Sequence, residues 1–353
     1  MTKGPKLLLS AFVAQPESSF LEWLAYHRAI GATDVVLFTD RRQSGKQPLF
    51  DALAAQGAVT LAPVTIDWDM HEEIRNSAIC AARAEVEESG GYGLYLGSDE
   101  YFCIQSGARS VQSLMRACGG ADVISAPLRV AGCGPSQPFQ PGATLFGARP
   151  VAPVTDQSPL RSAVRLGLFA SRTPEVPAAP ARGRTDVKWM NGDGAPMPQP
   201  HSRITWTGDI AARGSAKAVI VKIPAPSVET SLLRREVLPE KQRPDAETQI
   251  AWLQGCGAGD GPPVDLSARM GDTAREMDML MALPGVRAAQ EALCDHERAT
   301  LDQLRAASAD AQQVLATLKG EPIAPDAVER IRKRPPTDRN AKPDTVDTME
   351  RDL

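Results

Sequence analysis

The chain has 353 residues, 39 of them basic and 43 acidic, for a formal net charge of −4. That length holds one large α/β domain with appendages or two modest domains, and the near-balanced charge gives no field for drawing in nucleic acid or an anionic membrane. Six cysteines stand singly, without the C-x-x-C or Cys/His spacing of a zinc site, which excludes that class of metal centre and fits reduced thiols in a cytoplasmic protein.

Residues 7–14 open the chain as a buried strand. The apolar run after Lys6 is short, lacks a small-x-small cleavage pattern and leads straight into a helix start, so it reads as a strand rather than a leader. No stretch approaches the ~18 continuous apolar residues of a membrane-spanning helix. Ser19-Phe20-Leu21-Glu22 has the form of a capping box, and Phe20, Trp23, Leu24 and His27 follow at helical spacing until Gly31 closes the helix. His27 is therefore read as a partly packed residue of that helix. Residues 34–39 form a second strand, with Asp40, Arg41 and Arg42 at its carboxyl end. A short helix over 48–56, a strand over 58–64 and a long helix over 71–89 come next, the last with Ile74, Ala78, Ile79, Ala82 and Val86 on one stripe.

The strand at 92–96 ends in Gly97-Ser98-Asp99-Glu100. In an alternating α/β chain, ligands collect outside the carboxyl ends of strands, so these carboxylates are placed to hold a metal ion or orient a sugar, or to form a solvated turn. A helix over 110–117 and a strand over 121–130 complete an alternation that predicts a mainly parallel sheet with helices on both faces. Proline-rich loops follow at 132–142 and 173–200, and 187–194 reads as a strand entering a tight Asn-Gly turn. His201, beyond those loops, reads as a surface histidine.

Residues 218–223 make a last strand and 227–236 a helix ending in Arg234-Arg235. Residues 272–318 are helical in pattern with a break at Pro284-Gly285. Such a pair packs on its own domain or offers a surface to a protein partner. The expected organisation is a domain over 1–240, a helical appendage over 241–330 and a disordered tail over 331–353.

Several of these stretches, in order, resemble bacterial glycosyltransferases of the family 2-like kind, related to family 92. Phe20-Leu-Glu-Trp-Leu-Ala-Tyr-His-Arg-Ala-Ile-Gly31 is similar to that family's first helix, and residues 92–102 to the strand bearing its D-x-D-E-F motif. Thr144-Leu-Phe146 and Val187-Lys-Trp-Met-Asn-Gly-Asp-Gly194 resemble later segments. The resemblance spans about residues 7–240 and implies a GT-A fold, a nucleotide diphosphate sugar as donor, a glycan or other hydroxyl as acceptor, and Mn²⁺ or Mg²⁺ as cofactor.

Carried over residue by residue, the resemblance puts metal binding and nucleotide-sugar contact at Asp99. Asp40 and Glu100 would also contact the nucleotide sugar, Glu247 is the candidate catalytic base, and Arg41 is a further candidate contact by its place after the second strand alone. Arg41 and Arg42 stand where guanidinium groups would meet a diphosphate. The chain also departs from the family. Gly97 stands where the motif has its first carboxylate, Gln15-Pro16 replaces an Asn-Glu or Asp-Glu pair, and Lys222-Ile223 falls where a His-Tyr pair is expected. Two functional readings follow: a sugar-transferring enzyme, or a degenerate transferase fold that binds a nucleotide, glycan or protein without turnover.

Overall fold

The structure, a computed structural model, describes residues 6–13, 15–43, 45, 47–64, 86–132, 139–142, 148–155, 158–168, 186–197, 213–238, 240–256 and 261–322. Its strands are β1 (Leu7–Phe12), β2 (Asp34–Asp40), β3 (Thr60–Val64), β4 (Tyr92–Tyr95), β5 (Glu100–Ile104), β6 (Val123–Val130), β7 (Ala148–Val151), β8 (Leu160–Arg165), β9 (Trp189–Asn191), β10 (Ala218–Lys222) and β11 (Gly261–Asp265). The helices are α1 (Phe20–Ile30), α2 (Pro48–Ala55), α3 (Val111–Ala117), α4 (Val228–Val237), α5 (Ala246–Gly255), α6 (Met270–Met281), α7 (Val286–Ala307) and α8 (Ala309–Lys319).

Nine strands form one sheet in the order β3-β2-β1-β4-β8-β6-β10-β5, with β9 beside the first half of β6. The ladders β3/β2, β2/β1, β1/β4, β6/β9 and β6/β10 are parallel. β8 runs antiparallel between β4 and β6, and β5 lies antiparallel along β10. This is the mostly parallel, helix-flanked α/β fold that the alternation predicts. The alternating side chains of β1 and β2 serve two apolar layers. Leu7, Leu9, Val35 and Leu37 face the main core under α1 and α2, while Leu8, Val36 and Phe38 pack with Ala62, Val64 and Val86 on the other side.

α1 is buried almost all round because α6 covers the side that the sheet leaves open. Three of its side chains also finish the edge of the sheet. Trp23 Nε1 donates to the carbonyl of Glu100 at 2.8 Å, Tyr26 Oη donates to the carbonyl of Phe102 at 3.3 Å, and the Phe102 N–H donates to His27 Nε2 at 3.3 Å. The unpaired edge of β5 is thus satisfied by a helix.

Several expectations need correction. His27 is fully buried rather than partly packed. The Ser19 side chain does not cap α1; instead Glu297 of α7 accepts from the Ser18 N–H at 2.7 Å, so the end of the helix is tied from a distant element. β5, β7, β8 and β11 lie where no strand was expected. The 272–318 pattern breaks a second time at Ser308, whose side chain accepts from the Ala311 N–H and caps α8. The turn after β9 is a three-residue connection, Gly192 to Gly194, with Gly194 left-handed at φ +74° rather than an Asn-Gly pair at its centre. Most of the predicted 71–89 helix, His201 and the 331–353 tail lie outside the described residues.

The C-terminal helices use their apolar faces within the chain. Leu280 and Val286 belong to the main core, and a second core joins Leu232 of α4, Leu253 of α5, Leu301 of α7 and Val314 and Leu315 of α8. Among the described residues no helix is long and apolar enough to cross a membrane.

Candidate functional site

In the sheet, β2 and β3 lie to one side of β1 and β4 lies on the other, so the chain reverses direction of travel between β1 and β4. Outside the carboxyl ends of such a pair, the departing loops diverge and leave a crevice. β1 ends there at Phe12, with exposed Gln15 just beyond; β4 ends there and leads into Gly97-Ser98-Asp99. Asp40 closes β2 two strand spacings from β4, about 10 Å across the sheet. β8 is antiparallel, so its first residues, including Arg161, arrive at this same edge.

Two of the predicted carboxylates are already engaged. Asp40 is buried, accepts from the Arg42 N–H at 3.0 Å, and pairs with the Arg42 guanidinium at 2.7 Å. The Arg42 hydrogen bonds hold its carboxyl below the usual range against the cost of burial. Arg42 rather than Arg41 makes this contact, although both are exposed. Glu100 is buried too, and Arg161 grips it with both arms, Nε to Oε2 at 2.8 Å and Nη2 to Oε1 at 2.7 Å. The Gly97 N–H adds a third bond at 3.1 Å. Burial pushes the Glu100 carboxyl up, but Arg161 and Gly97 outweigh it and hold it low.

Asp99 differs from both. It is half-buried, and its carboxylate has no hydrogen bond or ion pair among the described residues; its backbone carbonyl accepts from the Ile223 N–H at 2.8 Å. Burial pushes its carboxyl up, in spite of the opposing pull of Lys222 and Arg234. Lys222 sits at the end of β10, directly opposite Glu100 in the antiparallel ladder. Arg234, from α4, donates to both oxygens of Glu17 at 2.7 and 2.6 Å and to the carbonyl of Pro224. Burial opposes its charge, but Glu17, Asp99 and Tyr101 more than compensate, so it stays firmly protonated. Sequence reasoning missed Arg161 and the pairing of Glu17 with Arg234. The alternation of Leu160-Arg-Ser-Ala-Val-Arg165 was a signal for β8, but nothing local announced partners 61 and 217 residues apart.

Glu247 is not brought to this cluster by any described contact. It lies exposed in the first turn of α5, whose N-terminus Asp245 caps by accepting from the Thr248 N–H at 2.8 Å. The segment after β9 is a folded turn: Asn191 Oδ1 accepts from the N–H groups of Asp193 and Ala195 at 2.9 Å each, and Asp193 in turn accepts from the Ala216 N–H.

Among the described residues at this edge a divalent metal would find one free carboxylate, that of Asp99, the fewest such an ion takes from a protein. Mg²⁺ and Mn²⁺ take an octahedral set of oxygens, usually with at least one or two free carboxylates from the protein. Here Asp40 and Glu100 are committed to guanidinium groups, and Gly97 has no side chain. Among the described residues no group of three His, Cys, Asp or Glu side chains converges. A β-carbon added at Gly97 would stand 2.8 Å from Asp99 Oδ1, so a side chain there would have to shift the Asp99 carboxylate. Compared with protein-family models and with curated proteins, the sequence matches none.

Proposed function

We propose that the chain binds a nucleotide diphosphate sugar at the carboxyl edge of its sheet, on a GT-A type fold, and transfers the sugar to a hydroxyl of a glycan or similar acceptor. One observation carries this reading: Asp99 is a half-buried carboxylate, without a hydrogen bond or ion pair among the described residues, in the loop that leaves β4 beside the reversal between β1 and β4, where α/β sheets bind ligands. The ordered resemblance of residues 7–240 to family 2-like transferases supplies the substrate class. In the reaction, the acceptor oxygen attacks the anomeric carbon. The bond from that carbon to the diphosphate oxygen breaks, the diphosphate leaves with the electron pair, and the acceptor proton passes to a base. Glu247, exposed in the first turn of α5, is the base that the resemblance offers, although no described contact brings it to the cluster. Asp99 accepts hydrogen bonds from sugar hydroxyls, a task open to a lone carboxylate.

The second reading, a fold that binds the nucleotide sugar without turnover, draws on the commitment of Asp40 and Glu100 to arginines. A panel of nucleotide sugars tests both. A ligand present at 100 times its Kd raises stability by about 2.7 kcal/mol, visible as a thermal shift. The expected outcome is a shift with one donor, slow release of free sugar from it, and loss of that release in Asp99→Asn. A shift without sugar release would favour the binding module. A flat panel would remove both readings.

A further inference from the structure

The next step rests on the nucleotide-sugar reading and concerns how its diphosphate is neutralised. We propose that side-chain cations, Lys222 first among them, hold the diphosphate, and that binding requires no divalent metal. Three observations converge on this.

Lys222 lies opposite Glu100 in the β10/β5 ladder, so the two side chains leave the same face of the sheet with β-carbons roughly 5 Å apart. Glu100 is nevertheless unavailable as its partner, since Arg161 occupies both carboxylate oxygens. The Lys222 ammonium therefore has no hydrogen bond or ion pair among the described residues, although it is half-buried. Asp99 and Glu100 lie near enough to act on its charge but make no direct contact with it, so its three N–H donors are left for an anion that can reach them.

The carboxylates at the same edge tell the complementary story. Of Asp40, Asp99 and Glu100, two are paired with arginine and one is left, so among these three a metal would find one free carboxylate. Around Glu100, Asp99 and Lys222 are the charged side chains without a hydrogen bond or ion pair among the described residues, and each acts on the other's charge. Lys222 is thus the cation at the end of β10 that a bound anion would meet directly. A diphosphate presents several strong acceptor oxygens, and an ammonium with three donors serves it well. Asp99, one residue along from Glu100, is then left for the sugar.

Titration calorimetry of the full chain with UDP, GDP and ADP, in EDTA and in MnCl₂, tests the proposal. One of these nucleotides is expected to bind with the same Kd in both solutions, and Lys222→Gln to weaken it by about tenfold or more, as befits loss of a charge-assisted contact. Lys222→Arg should restore most of the affinity. Binding that vanishes in EDTA and returns with Mn²⁺ would overturn the proposal while leaving the nucleotide reading intact, as would full affinity in a folded Lys222→Gln. Should that variant not fold, the EDTA comparison on the native chain still decides. Absence of binding in either solution would overturn the proposal and the nucleotide reading together.

Discussion

Glu100 and Asp99 are adjacent acids with opposite fates, and the difference is one arginine. Arg161 reaches Glu100 from β8 and turns it into a buried structural ion pair, whereas Asp99 is half-buried and has no such partner among the described residues. Removing one partner of such a buried pair typically costs 3–5 kcal/mol, roughly, which is why Glu100 is a residue of the fold before it is a residue of chemistry. His27 shows a similar shift of role. Its Nδ1 donates to the Trp23 carbonyl at 2.8 Å and its Nε2 accepts from Phe102, so both ring nitrogens are used in the neutral form. Burial lowers its pKa to about 4, with the Trp23 carbonyl only partly opposing. The unfolded chain takes up this proton near pH 6.5, above the folded value. The stability held by neutral His27 is therefore complete above about pH 6.5 and lost as the pH falls toward 4, at up to about 1.4 kcal/mol per pH unit. Urea unfolding at several pH values should show a shallower decline over that interval in His27→Gln than in the native chain, whatever their difference at pH 7. Parallel curves would show that His27 does not set this slope.

At the scale of elements, the legible part of the fold was the part whose signal is local. β1, α1, β2, α2 and β6 announced themselves through apolar runs, helical spacing and closing glycines such as Gly31, which is left-handed at φ +114°. β5 escaped because Asp99-Glu100 reads as a turn, and its remaining residues are buried on both faces, which erases the alternation of a half-exposed strand. The site was legible to the same degree: Asp99 could be placed from the strand before it, while Arg161, Arg234 and Glu297 come from elements that only folding brings near. Glu297 is the clearest case. From α7 it accepts from the Ser18 N–H at 2.7 Å and from the Ser18 hydroxyl, while Gln290 of the same helix donates to the Ser18 carbonyl at 2.8 Å. Ser18 follows Glu17, the partner of Arg234, so α7 braces the loop that leads from β1 toward the site. Glu297→Ala should cost about 2–3 kcal/mol through the unpaired Ser18 groups, and Glu297→Gln about half of that, read as lowered urea midpoints with an unchanged slope. A native midpoint in Glu297→Ala would mean that the brace contributes no stability.

For the whole molecule, α7 is the element that joins the two apolar cores. Its first residue, Val286, lies in the main core beneath the sheet's helices, and its later residues Leu301 and Leu304 lie in the second core with α4, α5 and α8. α6 in turn covers α1, which is buried on the sheet side by its own side chains. A chain ending at Leu266 would leave α1 and α2 with bare apolar faces. Loss of Leu280 and Val286 alone removes roughly 3–6 kcal/mol of burial, against the 5–15 kcal/mol of a typical domain. The loss of α7 and α8 also strips the second core from α4, the helix that carries Arg234. Such a chain is expected to bind a hydrophobic dye, lack near-ultraviolet ellipticity and elute as aggregate, while the full chain unfolds cooperatively. A soluble, cooperatively unfolding fragment would show instead that α6 to α8 are a separable unit, and that the site at the carboxyl edge stands without them.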